Sequence, residues 1–119
     1  MTADLHIHTD YSDGKNTPQE IVEMAVQMGL QAVAITDHES LEGIGEAQAV
    51  GQKLGLEIVP GVEISTIWGA ANIHILGYWL DLQNSLLLEK LAFWQEKRIE
   101  RVAKMIAKLQ KLNYYNMFC

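Results

Sequence analysis

The 119-residue sequence predicts an α/β fold, and three observations lead there. Short apolar segments alternate with segments whose apolar residues recur at helical spacing, giving strand–helix–strand–helix–strand from Ala3 to Pro60. The second strand segment is apolar with no polar alternation, as in a strand buried on both faces of a parallel sheet. Glycines and one capping box punctuate the helical segments where helices of ordinary length begin and end.

Taken in order, Ala3 to His8 reads as the first strand. Thr17-Pro18-Gln19-Glu20 starts a helix, with threonine at the cap, proline at the first helical position and glutamate closing a capping box. Ile21, Val22, Met24, Ala25 and Met28 form its apolar face, and Gly29 stops it. Gln31 to Thr36 is the second strand. A second helix runs from Leu41 to Leu54, weakened by Gly43, Gly45 and Gly51 and stopped at Gly55. Leu56 to Pro60 is the third strand and Asn72 to Tyr78 the fourth, with Ser65 to Ala71 as a loop or turn. A long helix spans about Asn84 to Leu112, with Ile99, Val102, Ala103, Ile106 and Leu109 as its stripe and Asn113 placed to end it. The expectation is three to four parallel-type strands with helices, plus a long C-terminal helix, in one domain.

Bulk composition narrows the function classes. The chain is 49% hydrophobic and 20% charged, as in a globular protein, and its net charge of −6 provides no basic footprint for duplex nucleic acid. No apolar run reaches the roughly 18 residues that span a bilayer. The N-terminus shows no signal peptide. A single cysteine, Cys119, excludes a disulfide framework. A cytoplasmic protein with no membrane partner is expected.

The polar residues fall in a pattern. His6 and His8, two apart on the first strand, point to the same face, and Asp13 follows in the turn Ser12-Asp13-Gly14. The second strand ends in Asp37-His38, the third is followed by Glu63, and the fourth carries His74. Active sites of α/β sheets form at the carboxyl ends of strands. Each residue alone has an ordinary reading: a satisfied core histidine, a helix cap, a loop acid. Four successive strands delivering imidazole or carboxylate to one rim point instead to divalent metal, with Mn, Zn and Fe all suited to such donors. Arg98 and Arg101, three apart on the long helix, are candidates for a substrate phosphate, against the plainer reading of a solvated helix face.

Five blocks in order, Asp4-Leu5-His6-Ile7-His8-Thr9, Ser12-Asp13-Gly14, Ile35-Thr36-Asp37-His38, Pro60-Gly61-Val62-Glu63-Ile64-Ser65 and His74-Ile75-Leu76-Gly77-Tyr78, resemble the PHP (polymerase and histidinol phosphatase) domain. The resemblance covers about residues 3–80 and is nearest to stand-alone PHP phosphoesterases acting on nucleotides and short oligonucleotides. It implies a distorted (β/α)7 barrel with two or three metals. His6, His8 and Glu63 would hold one metal. Asp13 and His38 would hold a second. Glu63, as a bridge, and His74 would hold a third. Asp37 would orient or support the catalytic site. The resemblance also implies a later histidine and an Asp-x-His pair, which this sequence lacks, while residues 113–119 diverge from the family pattern. The reading is therefore an incomplete PHP barrel. It is expected to be a metal-dependent phosphoesterase. The alternative is a truncated, inactive metal-binding or self-associating module. Open sheet edges predict self-association, unless the long helix folds back as a cover.

Overall fold

The structure, a computed structural model, describes residues 2–111. Asn113, the divergent 113–119 segment and Cys119 lie outside the described residues. The elements run β1 (Ala3–Ile7), α1 (Pro18–Gln27), β2 (Ala32–Ile35), α2 (Glu42–Leu54), β3 (Glu57–Trp68), β4 (Ala71–Tyr78) and α3 (Ser85–Lys111). They build one four-stranded sheet in the order β1-β2-β3-β4.

Local chemistry sets the helix starts and stops. At the head of α1 the Thr17 hydroxyl accepts the Glu20 N–H at 3.2 Å, and the Glu20 carboxylate accepts the Thr17 N–H at 2.9 Å. Two of the orphan donors at this helix start are thereby satisfied. At the far end of α2, Gly55 adopts φ 75°, which closes that helix without a steric penalty. Helices α1 and α2 press Val22, Ala25, Ile44 and Ala47 against Val33, Ile35, Leu56 and Ile58 of the sheet region, and this is the core. All four residues of β2 are buried, as its unbroken apolar sequence requires.

β1, β2 and β3 are parallel, with Ala32 beside Ala3 and Glu57 beside Ala32. The fourth strand departs from expectation. β3 continues through Ser65 to Trp68 and β4 returns antiparallel to it, pairing Gly61 with Tyr78 and Trp68 with Ala71. The segment expected as a loop is thus a strand end plus a two-residue hairpin turn. Gly69 at φ 61° supplies the positive dihedral such a turn needs. The turn lacks an Asn-Gly or Asp-Gly signature, and pairing with β4 is what keeps residues 65–68 extended.

The sheet curls. Tyr78 at the end of β4 donates its hydroxyl to the Leu5 carbonyl of β1 at 2.8 Å, although the two strands do not pair. α3 does not cover the sheet. Leu91 is its one buried residue, while Phe93, Ile99, Val102 and Leu109 stay exposed.

Candidate metal centre

The β1–α1 loop is the first part of the site. After β1 the chain turns so that Ser12 and Gly14 both donate their N–H to the Thr9 carbonyl, at 3.1 and 2.9 Å. Gly14 lies so close to the His8 carbonyl that a Cβ there would collide with backbone. Glycine is what lets the loop fold back and set Asp13 beside His8. Asp37 fastens the loop from below. It is 1% exposed, and its carboxylate accepts the Thr9 N–H at 2.7 Å, the Thr9 hydroxyl at 2.6 Å and the Ser12 hydroxyl. Both of its oxygens are taken up by the loop.

Beyond Ile35, β2 keeps contact with β3 through a parallel bridge between His38 and Glu63. Glu63 donates its N–H to the Asp37 carbonyl at 3.1 Å, and its own carbonyl accepts the Glu39 N–H at 3.0 Å. This places the buried Glu63 carboxylate, 3% exposed, at the centre of the histidines. His6 Nε2 lies 2.8 Å and His8 Nε2 2.9 Å from Glu63 Oε2, and the two Nε2 atoms are 3.1 Å apart. His74 Nδ1 meets the other oxygen, Oε1. His74 gets there because β4 is antiparallel. It sits opposite Ser65 near the middle of β4, and not at the strand's carboxyl end as the sequence suggested. His38 Nε2 stands 3.5 Å from Asp13 Oδ2 and 3.9 Å from Glu63 Oε2.

All six expected ligands are brought together. Three groups, His6–His8–Glu63, His8–Asp13–His38 and His38–Glu63–His74, each place their donor atoms within 4.8 Å of one another. The first two share His8, and Glu63 joins the first and third. Donors bound at about 2.0–2.2 Å to a common ion lie roughly 3–3.5 Å apart, and the separations of 2.8, 2.9 and 3.1 Å among His6, His8 and Glu63 Oε2 are close to that spacing. A buried nitrogen with no hydrogen-bond partner, His8 Nδ1, faces Asp13 Oδ1 at 3.4 Å. A buried polar atom left in that condition costs energy unless something else binds it. The residues present therefore fit a divalent metal.

Two groups of the cluster have shifted titration. Burial holds the His38 imidazole below its ordinary value, helped by the charges of Arg98 and His8 and opposed by Glu63 and Asp13. Burial alone would push the Glu63 carboxyl up. Hydrogen bonds from His6 and His74 and the nearby charge of His38 outweigh it and bring the group below the usual carboxylate range.

Two residues beside the cluster escaped the sequence reading. Glu39 is 3% exposed and has φ 49°, and Arg98 Nε approaches its Oε2 at 3.2 Å, an ion pair without hydrogen-bond alignment. Ser65 donates its N–H to Glu39 Oε1 at 2.7 Å and accepts Arg98 Nη2 at 3.1 Å on its hydroxyl. Nothing in the sequence separates Glu39 from a surface acid. Ser65 was legible only by extending the alternation of β3, which puts it on the same face as Glu63. Arg98 thus reaches the rim of the cluster. Arg101 lines a groove of about 380 Å³ with Ser65, Trp94, Lys97 and Arg98. It makes no hydrogen bond or ion pair among the described residues.

A curled α/β sheet that gathers four imidazoles and two carboxylates at one rim defines a protein able to hold metal ions. The sequence matches the PHP domain family over residues 4–117, and the chain belongs to that family. The match runs beyond the five sequence blocks. The chain is 41% identical over 110 residues to the 5'-3' exoribonuclease Rnm of Escherichia coli, covering 91% of this chain and 38% of that protein. It is 36% identical over 107 residues to the 3',5'-nucleoside bisphosphate phosphatase of Chromobacterium violaceum, covering 90% of this chain and 38% of that protein. A crystal structure from Bifidobacterium adolescentis, described as a metal-dependent phosphoesterase, superposes with a TM-score of 0.89 at 31% identity. It covers 98% of this chain and 41% of that one. The chain thus spans about two fifths of the length of the relatives it matches.

Proposed function

We propose that this cluster is the multi-metal centre of a phosphoesterase that hydrolyses nucleotides or short oligonucleotides. The observation that carries the reading is the convergence of three donor groups, linked through His8, His38 and Glu63. Two or three divalent ions such as Mn, Zn or Fe would supply Lewis acidity and activate water at neutral pH. The chain's own part is to prepare the place. His6, His8 and Glu63 would hold one ion, Asp13 and His38 a second, and Glu63 and His74 a third. Asp37 would keep the Thr9–Asp13 loop in register.

Most of the cations of this acidic chain lie on α3, Lys97, Arg98, Arg101 and Lys104 among them. Arg98 keeps Nη1 free of protein partners among the described residues, so it would hold a substrate phosphate while its other nitrogens stay on Glu39 and Ser65. Arg101, on the same groove, would add a second contact. These residues favour a small phosphorylated substrate over a duplex. No helix among the described residues is long and apolar enough to cross a membrane. A reducing, cytoplasmic setting suits a chain with one cysteine.

Elemental mass spectrometry of the purified chain, with hydrolysis of a nucleoside bisphosphate measured alongside, tests the proposal. Metal uptake that drops in both His8→Ala and Glu63→Gln supports the centre. Turnover lost in the same variants supports the activity. Metal-free protein after exposure to Mn, Zn and Fe rules the reading out. Uptake without turnover leaves a metal-binding module.

A further inference from the structure

The geometry points to Ser65 as the positioning residue of His38. We propose that the Ser65 hydroxyl, fixed by Glu39 and Arg98, accepts the Nδ1 proton of His38 and so commits Nε2 to the metal. The inference rests on the metal-centre reading and adds to it residues outside the ligand set.

The ring of His38 is nearly enclosed, with its side chain 8% exposed. Nε2 looks toward Asp13 and Glu63, and Nδ1, on the other side, looks toward Ser65 Oγ at 3.4 Å. A neutral imidazole carries one proton, and the partner of one nitrogen decides which nitrogen is left to ligate. When Nε2 ligates, the proton is on Nδ1, and Ser65 Oγ is the acceptor placed there.

Ser65 itself is fixed at two points. Its backbone N–H is bound by the buried Glu39 carboxylate at 2.7 Å, and its hydroxyl oxygen receives Arg98 Nη2 at 3.1 Å. Arg98 only donates, so the hydroxyl meets it as an acceptor and keeps a second lone pair for His38. Glu39 also joins the set to α3, because Gln95 donates to its carbonyl at 2.9 Å. The long helix is thereby tied to the orientation of one metal ligand.

The test uses zinc, which is diamagnetic, with Ser65→Ala and Ser65→Thr in the full chain. In the zinc-loaded chain with labelled histidine nitrogens, a long-range proton–nitrogen correlation should show a slowly exchanging proton on Nδ1 of His38. Ser65→Ala should speed its exchange and weaken zinc binding by roughly 10–100-fold, the cost of losing such an outer partner. Ser65→Thr, which keeps the hydroxyl, should restore both. Zinc bound by the unsubstituted chain with the His38 proton on Nε2, or with exchange and affinity unmoved in Ser65→Ala, overturns the role of Ser65 and leaves the metal centre standing. No zinc uptake by the unsubstituted chain overturns both.

Discussion

Asp37 shows how much one buried carboxylate organises here. Its oxygens accept three donors from the loop that carries Asp13. Asp37→Asn removes the charge and turns an amide N–H₂ toward at least one donor. A loss of about 1–3 kcal/mol in stability is expected from the unmet groups. Urea unfolding checks this, and metal affinity should fall with it as Asp13 loses its place. A second expectation concerns pH. The His38 value is lowered on folding, so the folded chain takes up this proton less readily than the unfolded chain does. Its contribution therefore turns unfavourable as pH drops below about 6.5. The Glu63 value is also lowered, so its stabilisation is present above about 4.3 and is lost as pH falls through the folded value. Both signs run the same way: metal-free chain should lose stability steadily on acidification. Melting temperatures between neutral and acidic pH that stay level would contradict this. The six candidate ligand positions were readable in sequence because strand alternation and strand ends are local signals. Glu39 and Ser65 were not, because their roles come from an α3 contact that joins distant parts of the chain.

At the scale of elements, α1 was legible to the residue at its N-terminus, since a capping box is written entirely in neighbouring side chains. Thr17→Ala should cost about 1 kcal/mol by thermal or chemical melt. α2 offers a less obvious case. Gly51→Ala would favour the helix by propensity alone, by up to about 1 kcal/mol. In the fold, a Cβ at Gly51 would stand 2.6 Å from Ile58 Cγ1 and 2.7 Å from the Leu56 carbonyl oxygen. The clash involves backbone, so overpacking wins and a net loss of roughly 1–3 kcal/mol is expected. A more stable Gly51→Ala chain would show that the α2–β3 approach is looser than described. The β3–β4 hairpin was the element misread. Period-two alternation through residues 63–68 was weak evidence beside the missing turn motif, and only cross-strand pairing made the extension stable.

Across the whole molecule the unpaired edges and exposed apolar side chains set behaviour. β1 and β4 end the sheet, and Trp68, Trp79, Phe93 and Ile99 are more than half exposed. Such surfaces are rare on a monomer. Concentration-dependent self-association is therefore expected in sedimentation velocity, together with binding of an apolar dye. Monomer at all concentrations with no dye response would show that these faces are not adhesive. The sequence by itself determined the α/β class, the capped helix, the buried central strand and the six candidate ligand positions. Each is a local pattern of side-chain type and spacing. Only the tertiary structure decided that β4 runs antiparallel, that the sheet curls until Tyr78 reaches Leu5, and that Glu63 stands at the centre of the cluster. Those facts depend on contacts between residues far apart in the chain, which no local pattern encodes.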